Sequence, residues 1–280
     1  MSVIHEIPSL RQAIGDWKAD GLRVALVPTM GNLHEGHLTL VDAALEVADR
    51  VVVSVFVNPT QFGAGEDFDA YPRTLESDVE KVVGRGAQLV FAPSVNEVYP
   101  LGMSDLTRVE AAGLAFQLCG AHRPGHFTGV ATVVCKLFNM VQADVAVFGE
   151  KDFQQLAVIR RMVLDLNIPV DIVGVETCRE HDGLAMSSRN QYLGADERAT
   201  APFLNEVIRD TVERIRGGDR QFGSLEQLAE DALRTRGFIP DYVSIRRSSD
   251  LMPPEPGDKK LVVLAAAHLG KARLIDNMRV

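Results

Sequence analysis

Apolar and polar positions fall into blocks along this chain, and the period changes from block to block. "RVALV" at 23–27 is a short β-type run, and from His37 to Ala48 the residues Leu38, Val41, Ala44, Leu45 and Ala48 share one helical face. "RVVVSVFVN" (50–58) is apolar at successive positions, the pattern of a strand covered on both sides in a parallel sheet. "TLESDVEKVVGRG" (74–86) predicts a helix with a Thr cap and a Gly stop, and "AQLVFAP" (87–93) a third strand. Helical "GHFTGVATVVCKLFNMV" (125–141) leads into a fourth strand, "DVAVFG" (144–149). A helix, "FQQLAVIRRMVLDL", and a strand, "VDIVGVE", follow. This alternation predicts an α/β fold with a Rossmann-like, doubly wound parallel sheet. Such sheets bind ligands at the carboxyl ends of their strands.

After residue 190 the texture changes. Helical stretches at about 196–216 and 224–236 precede "DYVSIRRSSDL", "KLVVLAAAHL" and "ARLIDNMRV", with a Pro-rich loop, "LMPPEPGD", among them. A smaller C-terminal α+β domain is expected. Charge supports a divide near Cys178: residues 1–177 hold 13 Lys+Arg against 22 Asp+Glu, whereas residues 178–280 hold 16 against 16. The expected domains are therefore 1–177 and 178–280, with no internal repeat.

The net charge of −9 argues against a nucleic-acid partner, which requires a basic surface. Three cysteines without close pairing fit a reducing compartment. The start, "MSVIHEIPSL", lacks the basic and apolar regions of a secretory signal, and no stretch approaches the roughly 18 apolar residues of a membrane helix. A cytoplasmic protein without a membrane partner is expected.

Four stretches carry candidate chemistry. In "TMGNLHEGH" (29–37) a strand gives way to a helix, where backbone N–H groups and the helix dipole suit phosphate, and His34 and His37 add imidazole donors. The plain alternative is a turn with surface histidines. A metal site would need a third ligand, and nothing in the sequence brings Cys178 or His181 there. "FVNPTQF" (56–62) sets Asn58 and Gln61 at a strand's carboxyl end, although an Asn-Pro turn alone explains it. The Gly- and Asp-rich segment after it could be a lid carrying Tyr71. "FGEKDFQQ" (148–155) offers Lys151 to phosphate, Asp152 to ribose hydroxyls and Gln155 one turn on. Glu150 and Asp152 are ordinary helix-start acids, but a Lys is unfavourable at that end. "LAMSSRNQYL" (184–193) puts Ser187, Ser188 and Arg189 on a loop able to close on a triphosphate, or forms a simple helix entry. No GxxxxGK[ST], GxGxxG, GxSxG or HExxH motif is present. Imidazole, Lys, Gln and Ser-Arg gathered on one rim of a sheet favour a phosphate-handling site over four unrelated turns.

These blocks, with "YPRTLESD", "RPGHFTGVATVVCKLF", "DGLAMSSRNQYL" and "ARLIDN", resemble the pantoate–β-alanine ligase family from residue 28 to 277. "HEGH" and "MSSR" look like the two signatures of the wider nucleotidyltransferase superfamily. Thr60 departs from the pattern, where Met is expected beside Gln61. The resemblance implies condensation of (R)-pantoate with β-alanine, using ATP and passing through pantoyl adenylate, with Mg2+ arriving on the nucleotide. It implies catalytic roles for His37, His34 and Lys151, with His37 the acid for departing pyrophosphate. It implies ATP contacts from Met30, Gly31, Asn32, Leu33, His34, Glu35, Gly36, His37, Gly149, Glu150, Lys151, Asp152, Cys178, Met186, Ser187, Ser188 and Arg189. Gln61, Gln155 and Met30 would hold pantoate, with Gln61 also near β-alanine, while Asn58, Tyr71 and Arg123 are secondary members. A homodimer is implied too, and the apolar runs 50–57 and 261–267 hint at one. The rival is another nucleotidyltransferase acting on a different acid or phosphate ester, which has no need of "FVNPTQF" or "FGEKDFQQL".

Overall fold

The computed structural model describes residues 2–63 and 65–280. Two compact units emerge. One holds the described residues up to Glu150 together with Val158–Glu176; the other holds Lys151–Ala157 and Thr177–Val280.

In chain order the first unit carries β1 (Ser2–Ile4), α1 (Ile7–Ala19), β2 (Val24–Thr29), α2 (Glu35–Val47), β3 (Arg50–Val55), α3 (Leu75–Gly84) and β4 (Leu89–Phe91). Three one-turn helices follow: α4 (Val95–Val98), α5 (Ala112–Ala115) and α6 (Cys119–His122). Then come α7 (His126–Val141), β5 (Val145–Gly149), α8 (Phe153–Asp165), which begins in the second unit, and β6 (Asp171–Val175). The six strands form one parallel sheet in the order β1-β4-β3-β2-β5-β6. Successive strands from β2 run outward through β3 and β4, and the order then reverses to β5 on the other side of β2. That reversal is the topological switch point, where open α/β sheets bind their ligands.

The sheet is apolar on both faces because helices cover both. Ala25, Val27, Val51, Val53, Val145 and Val147 pack with Leu40, Val41 and Ala44 of α2. Leu26, Val52 and Ala146, with the opposite orientation, are equally buried, and α1 and α7 pack against β2 and against each other. The structure adds β1, α1 and the three one-turn helices α4, α5 and α6 to the sequence reading. A three-residue edge strand is too short for its periodicity to register. The helix expected at His37 begins at Glu35. Thr74 precedes α3 as expected, yet its hydroxyl donates to the Asp78 carboxylate (3.0 Å) instead of capping a backbone N–H.

The second unit contains α9 (Ala195–Thr200), α10 (Phe203–Arg216), α11 (Phe222–Thr235), β7 (Ile239–Arg247), β8 (Leu261–Leu269) and β9 (Ala272–Arg279). The strands make an antiparallel sheet, β7-β8-β9, against which α10 and α11 pack. The single helix expected over 196–216 is broken at Ala201–Pro202, because a proline ring cannot continue the hydrogen-bond ladder. Val51–Val53 and Leu261–Ala267 are buried within the chain itself, so their apolarity carries no signal of a partner.

Candidate active site

The histidine turn leaves β2 at the switch point. Gly31 (φ +83°) and Asn32 (φ +51°) both take left-handed backbone, so the chain reverses within two residues before α2 starts. Gly31 is required twice over, since a Cβ there would lie 3.0 Å from Asp78 Oδ2 and 3.0 Å from Val55 Cγ1. The N–H groups expected to be open on this turn are mostly engaged. Gly31 N–H donates to Thr29 Oγ1 (3.2 Å), Asn32 N–H to Asp78 Oδ2 (2.9 Å) and Leu33 N–H to Asp78 Oδ1 (2.8 Å). His34 N–H donates to His37 Nδ1 (3.3 Å). Glu35 and Gly36, the first two helical positions, keep N–H groups with no acceptor among the described residues. The two imidazoles lie together, ring centroids 4.1 Å apart. Because His37 Nδ1 accepts, a neutral His37 carries its proton on Nε2, which makes that atom the donor to anything bound beyond it.

Gln61 ends a one-turn helix, Pro59–Gln61, directly after β3. It is 9% exposed and held on every side. Its Nε2 reaches Met30 Sδ (3.1 Å), its Oε1 accepts from Asn58 Nδ2 (3.0 Å), and its carbonyl accepts from His126 Nδ1 (2.8 Å). Met30 and Gln61, expected to share one ligand, are thus neighbours. Asn58 is the hub of the turn, since its Oδ1 also accepts from Tyr99 Oη (2.7 Å) and Thr60 Oγ1 (3.0 Å). The unexpected Thr60 therefore joins the polar network around Asn58. Gly129 of α7 lets this turn approach: a Cβ there would stand 2.2 Å from Thr60 O.

Arg123 forms a two-pronged ion pair with Glu66 (2.7 and 2.6 Å) and contacts His126 Nε2 (3.0 Å). With His126 Nδ1–H donating to Gln61, Nε2 is the acceptor, so this contact fits a neutral ring. Burial would raise the Glu66 pKa, but the Arg123 guanidinium outweighs it and lowers the pKa from 4.5 to about 2. Tyr71, on the expected lid segment, is buried with its ring edge-on to Phe62. Ala64 of that segment lies outside the described residues. At the end of β5, Gly149 is uncrowded: a Cβ would meet only Leu40 Cδ2, at 4.0 Å. Glu150 follows it in a one-turn helix, Glu150–Asp152.

The second unit holds the remaining candidates. Lys151 and Ser187 line one small cavity with Asn190, Asn205 and Asp276. The Lys151 carbonyl accepts from Asn277 Nδ2 of β9 (2.9 Å), and its ammonium lies 3.5 Å from Asp152. Gln155 is half-buried in the first turn of α8, its amide without a hydrogen bond among the described residues. Residues 178–186 fold back on themselves. Met186 N–H donates to the Cys178 carbonyl (3.0 Å), and their sulfur atoms are 3.6 Å apart. Arg179 anchors this hairpin through two bonds to Asp276 (2.7 and 2.9 Å), a carboxylate only 3% exposed that also accepts from Asn205 (3.0 Å). Ser187 Oγ accepts from Arg189 N–H (3.2 Å), opening the turn Ser188–Tyr192.

Sequence reasoning gave no role to Asp78, Lys81, His126, Gly129 or Asn277. A glycine inside α7 was a readable signal, because mid-helix Gly costs about 1 kcal/mol relative to Ala. Asp78 has the position of an ordinary first-turn acid, so its residue type alone carries no signal.

A parallel sheet with histidine, glutamine and asparagine side chains at the carboxyl ends of adjacent strands has the form of an α/β enzyme, and similarity to known proteins makes it a ligase. The chain belongs to the pantoate-beta-alanine ligase family, whose model matches residues 2–279. The pantothenate synthetase of Thioalkalivibrio sulfidiphilus is 55% identical over 280 residues, covering 100% of this chain and 98% of that one. The crystal structure of pantothenate synthetase from Thermus thermophilus has a TM-score of 0.92 at 45% identity, covering 99% of both chains. The pantoate-beta-alanine ligase of Francisella tularensis, solved in complex with beta-gamma ATP and beta-alanine, has a TM-score of 0.84 at 31% identity. It covers 100% of this chain and 97% of that one.

Proposed function

We propose that the chain joins (R)-pantoate to β-alanine in two steps on ATP. In the first, a pantoate carboxylate oxygen attacks the α-phosphorus, and the bond to pyrophosphate breaks to leave pantoyl adenylate. In the second, the β-alanine amine attacks the acyl carbon. The acyl–oxygen bond breaks, AMP departs with the electron pair, and the amine proton passes to solvent. No covalent bond to the protein is needed, so catalysis is positioning and charge stabilisation.

The observation that carries this reading is the paired imidazoles on the turn that leaves β2 at the switch point, a turn whose Met30 touches Gln61. His37 Nε2–H and the N–H groups of Glu35 and Gly36 are donors suited to phosphate oxygens, and His37 is the group to protonate departing pyrophosphate. Gln61 and Gln155 bind pantoate without adding charge, which keeps its carboxylate a nucleophile, and Met30 contacts it. Open space at Gly149 suits close approach of the ribose, with Asp152 accepting from its hydroxyls. Lys151 and the Ser187–Arg189 loop supply charge and hydroxyls to the phosphates, and Met186 and the Cys178 backbone line the adenine end. In this reading the sheet domain, expected over 1–177, binds ATP and pantoate.

No group of three His, Cys, Asp or Glu side chains suited to a metal occurs among the described residues. In this reading Mg2+ is held by the nucleotide's own phosphate oxygens, where it would neutralise charge. No described helix is long and apolar enough to cross a membrane. A cytoplasmic homodimer belongs to the same proposal.

Pantoate labelled with 18O in its carboxylate tests the chemistry. One label should appear in AMP and the other in the amide carbonyl of the product. Unlabelled AMP would exclude the adenylate.

A further inference from the structure

Residues of α3 and its C-terminal cap, none of them assigned to a substrate, grip the histidine turn. Asp78 is fully buried in the first turn of α3. Its carboxylate accepts three hydrogen bonds: from Asn32 N–H, from Leu33 N–H and from Thr74 Oγ1, at 2.9, 2.8 and 3.0 Å. Lys81, three residues on, donates to the Leu33 carbonyl (2.8 Å), and Arg85, four further, pairs with the carboxylate of Glu35. The spacing i, i+3, i+7 puts Asp78 and Lys81 of α3 and Arg85, the residue that caps its C-terminus, on one stripe. Each peptide group from Asn32 to Leu33 is therefore fixed at an end by a charged side chain. The next residue is His34, whose N–H in turn fixes the His37 ring.

We infer that Asp78, supported by Lys81, is a positioning residue: it locks the strained turn Gly31–Leu33 and thereby sets where the two imidazoles and the Glu35 and Gly36 N–H groups point. The inference rests on the reading of the histidine turn as the phosphate site. The physical case has three parts. Two successive left-handed residues, one of them Asn, need an external hold to persist. A buried carboxylate taking two N–H bonds and a hydroxyl is a strong, directional hold. It also determines which donors remain for a ligand, because it occupies Asn32 and Leu33 and leaves Glu35 and Gly36.

The full-length Asp78→Asn variant tests this. It keeps the shape but removes the charge and sets an NH2 group against backbone N–H donors. Lys81→Met is the companion, changing only a solvent-facing residue of α3. Three readings are taken: thermal unfolding, ring 1H–15N spectra of His34 and His37 without ligand, and KM for ATP beside KM for β-alanine. In Asp78→Asn the two histidines' ring signals should shift. KM for ATP should rise ~10–100-fold, as a misplacement of about 1 Å would cause, while KM for β-alanine stays near wild type. Lys81→Met should move the same readings in the same direction by less. A purely structural residue would lower the amount of active enzyme and leave ring signals and KM unchanged. A folded Asp78→Asn with wild-type ring signals and ATP KM overturns the inference. Should that variant not fold, Lys81→Met decides on the same readings. A wild-type enzyme that does not consume ATP with pantoate would instead defeat the functional reading, and the ring spectra would still judge the positioning role.

Discussion

Gly129 gives the most direct handle on the pantoate side of the site. An alanine Cβ at this position would lie 2.2 Å from the Thr60 carbonyl oxygen, 2.6 Å from its carbon and 2.8 Å from Gln61 Cα. All three are backbone atoms, so no side-chain rotation relieves the clash. Comfortable separations are nearer roughly 3.3 Å, and α7 and the Asn58–Gln61 turn must part by about 1 Å. Such overpacking costs on the order of 3 kcal/mol, offset by up to about 1 kcal/mol of helix propensity gained on replacing Gly. A net loss of about 2 kcal/mol lowers Tm by roughly 4–8 °C for a domain of this size. The same displacement carries Gln61 away from Met30 and should reduce kcat/KM for pantoate by roughly 10²-fold. Gly15→Ala is the control, because that glycine sits in α1 with nothing within 4 Å of an added Cβ, and it should be neutral or slightly stabilising. Steady-state kinetics with varied pantoate and a thermal melt read both effects. Gly129→Ala with a wild-type Tm and wild-type pantoate KM would refute the close-approach argument.

Arg179→Met should destabilise by about 3 kcal/mol or more in chemical denaturation, because it strands the buried Asp276 carboxylate. The double variant with Asp276→Asn should recover part of that loss. Glu66 is lowered from 4.5 to about 2 in the folded state, so the stability it contributes is complete above about pH 4.5 and is lost as pH falls towards 2. The Tm gap between wild type and Glu66→Gln should accordingly be present at pH 7 and shrink by pH 3; a constant gap would remove the Arg123 pair from the account. His37→Ala and Lys151→Ala should each cut kcat sharply while leaving the thermal melt near wild type, and a near-normal kcat in either would take that residue out of the chemistry.

Strand and helix blocks were readable where burial was two-sided or periodic. "RVVVSVF" could only be a covered parallel strand, and β3 is one. "SVI" at the amino end was not readable, since three residues at a sheet edge carry no period. Pro202 explains the split between α9 and α10, and a proline within an expected helix was available as a warning. At the candidate site, the side chains proposed to face a ligand stand out in the sequence only through their combination, since an ordinary turn explains each stretch alone. The residues that hold them do not stand out. Asp78 acts across 45 residues of chain on the backbone of Leu33, and a carboxylate in a first helical turn already has a sufficient local reason to be there. Gly129 stands out as a glycine inside a helix, but what it accommodates appears only once Thr60 is brought against α7.

The central claim is that the histidine turn activates pantoate on ATP before β-alanine takes part. Isotope exchange between labelled pyrophosphate and ATP tests it with the wild-type enzyme, Mg2+ and pantoate, β-alanine being omitted. Label should enter ATP only when pantoate is present, and His37→Ala should lose that exchange. Exchange that is absent with pantoate alone and appears only on adding β-alanine would contradict the claim.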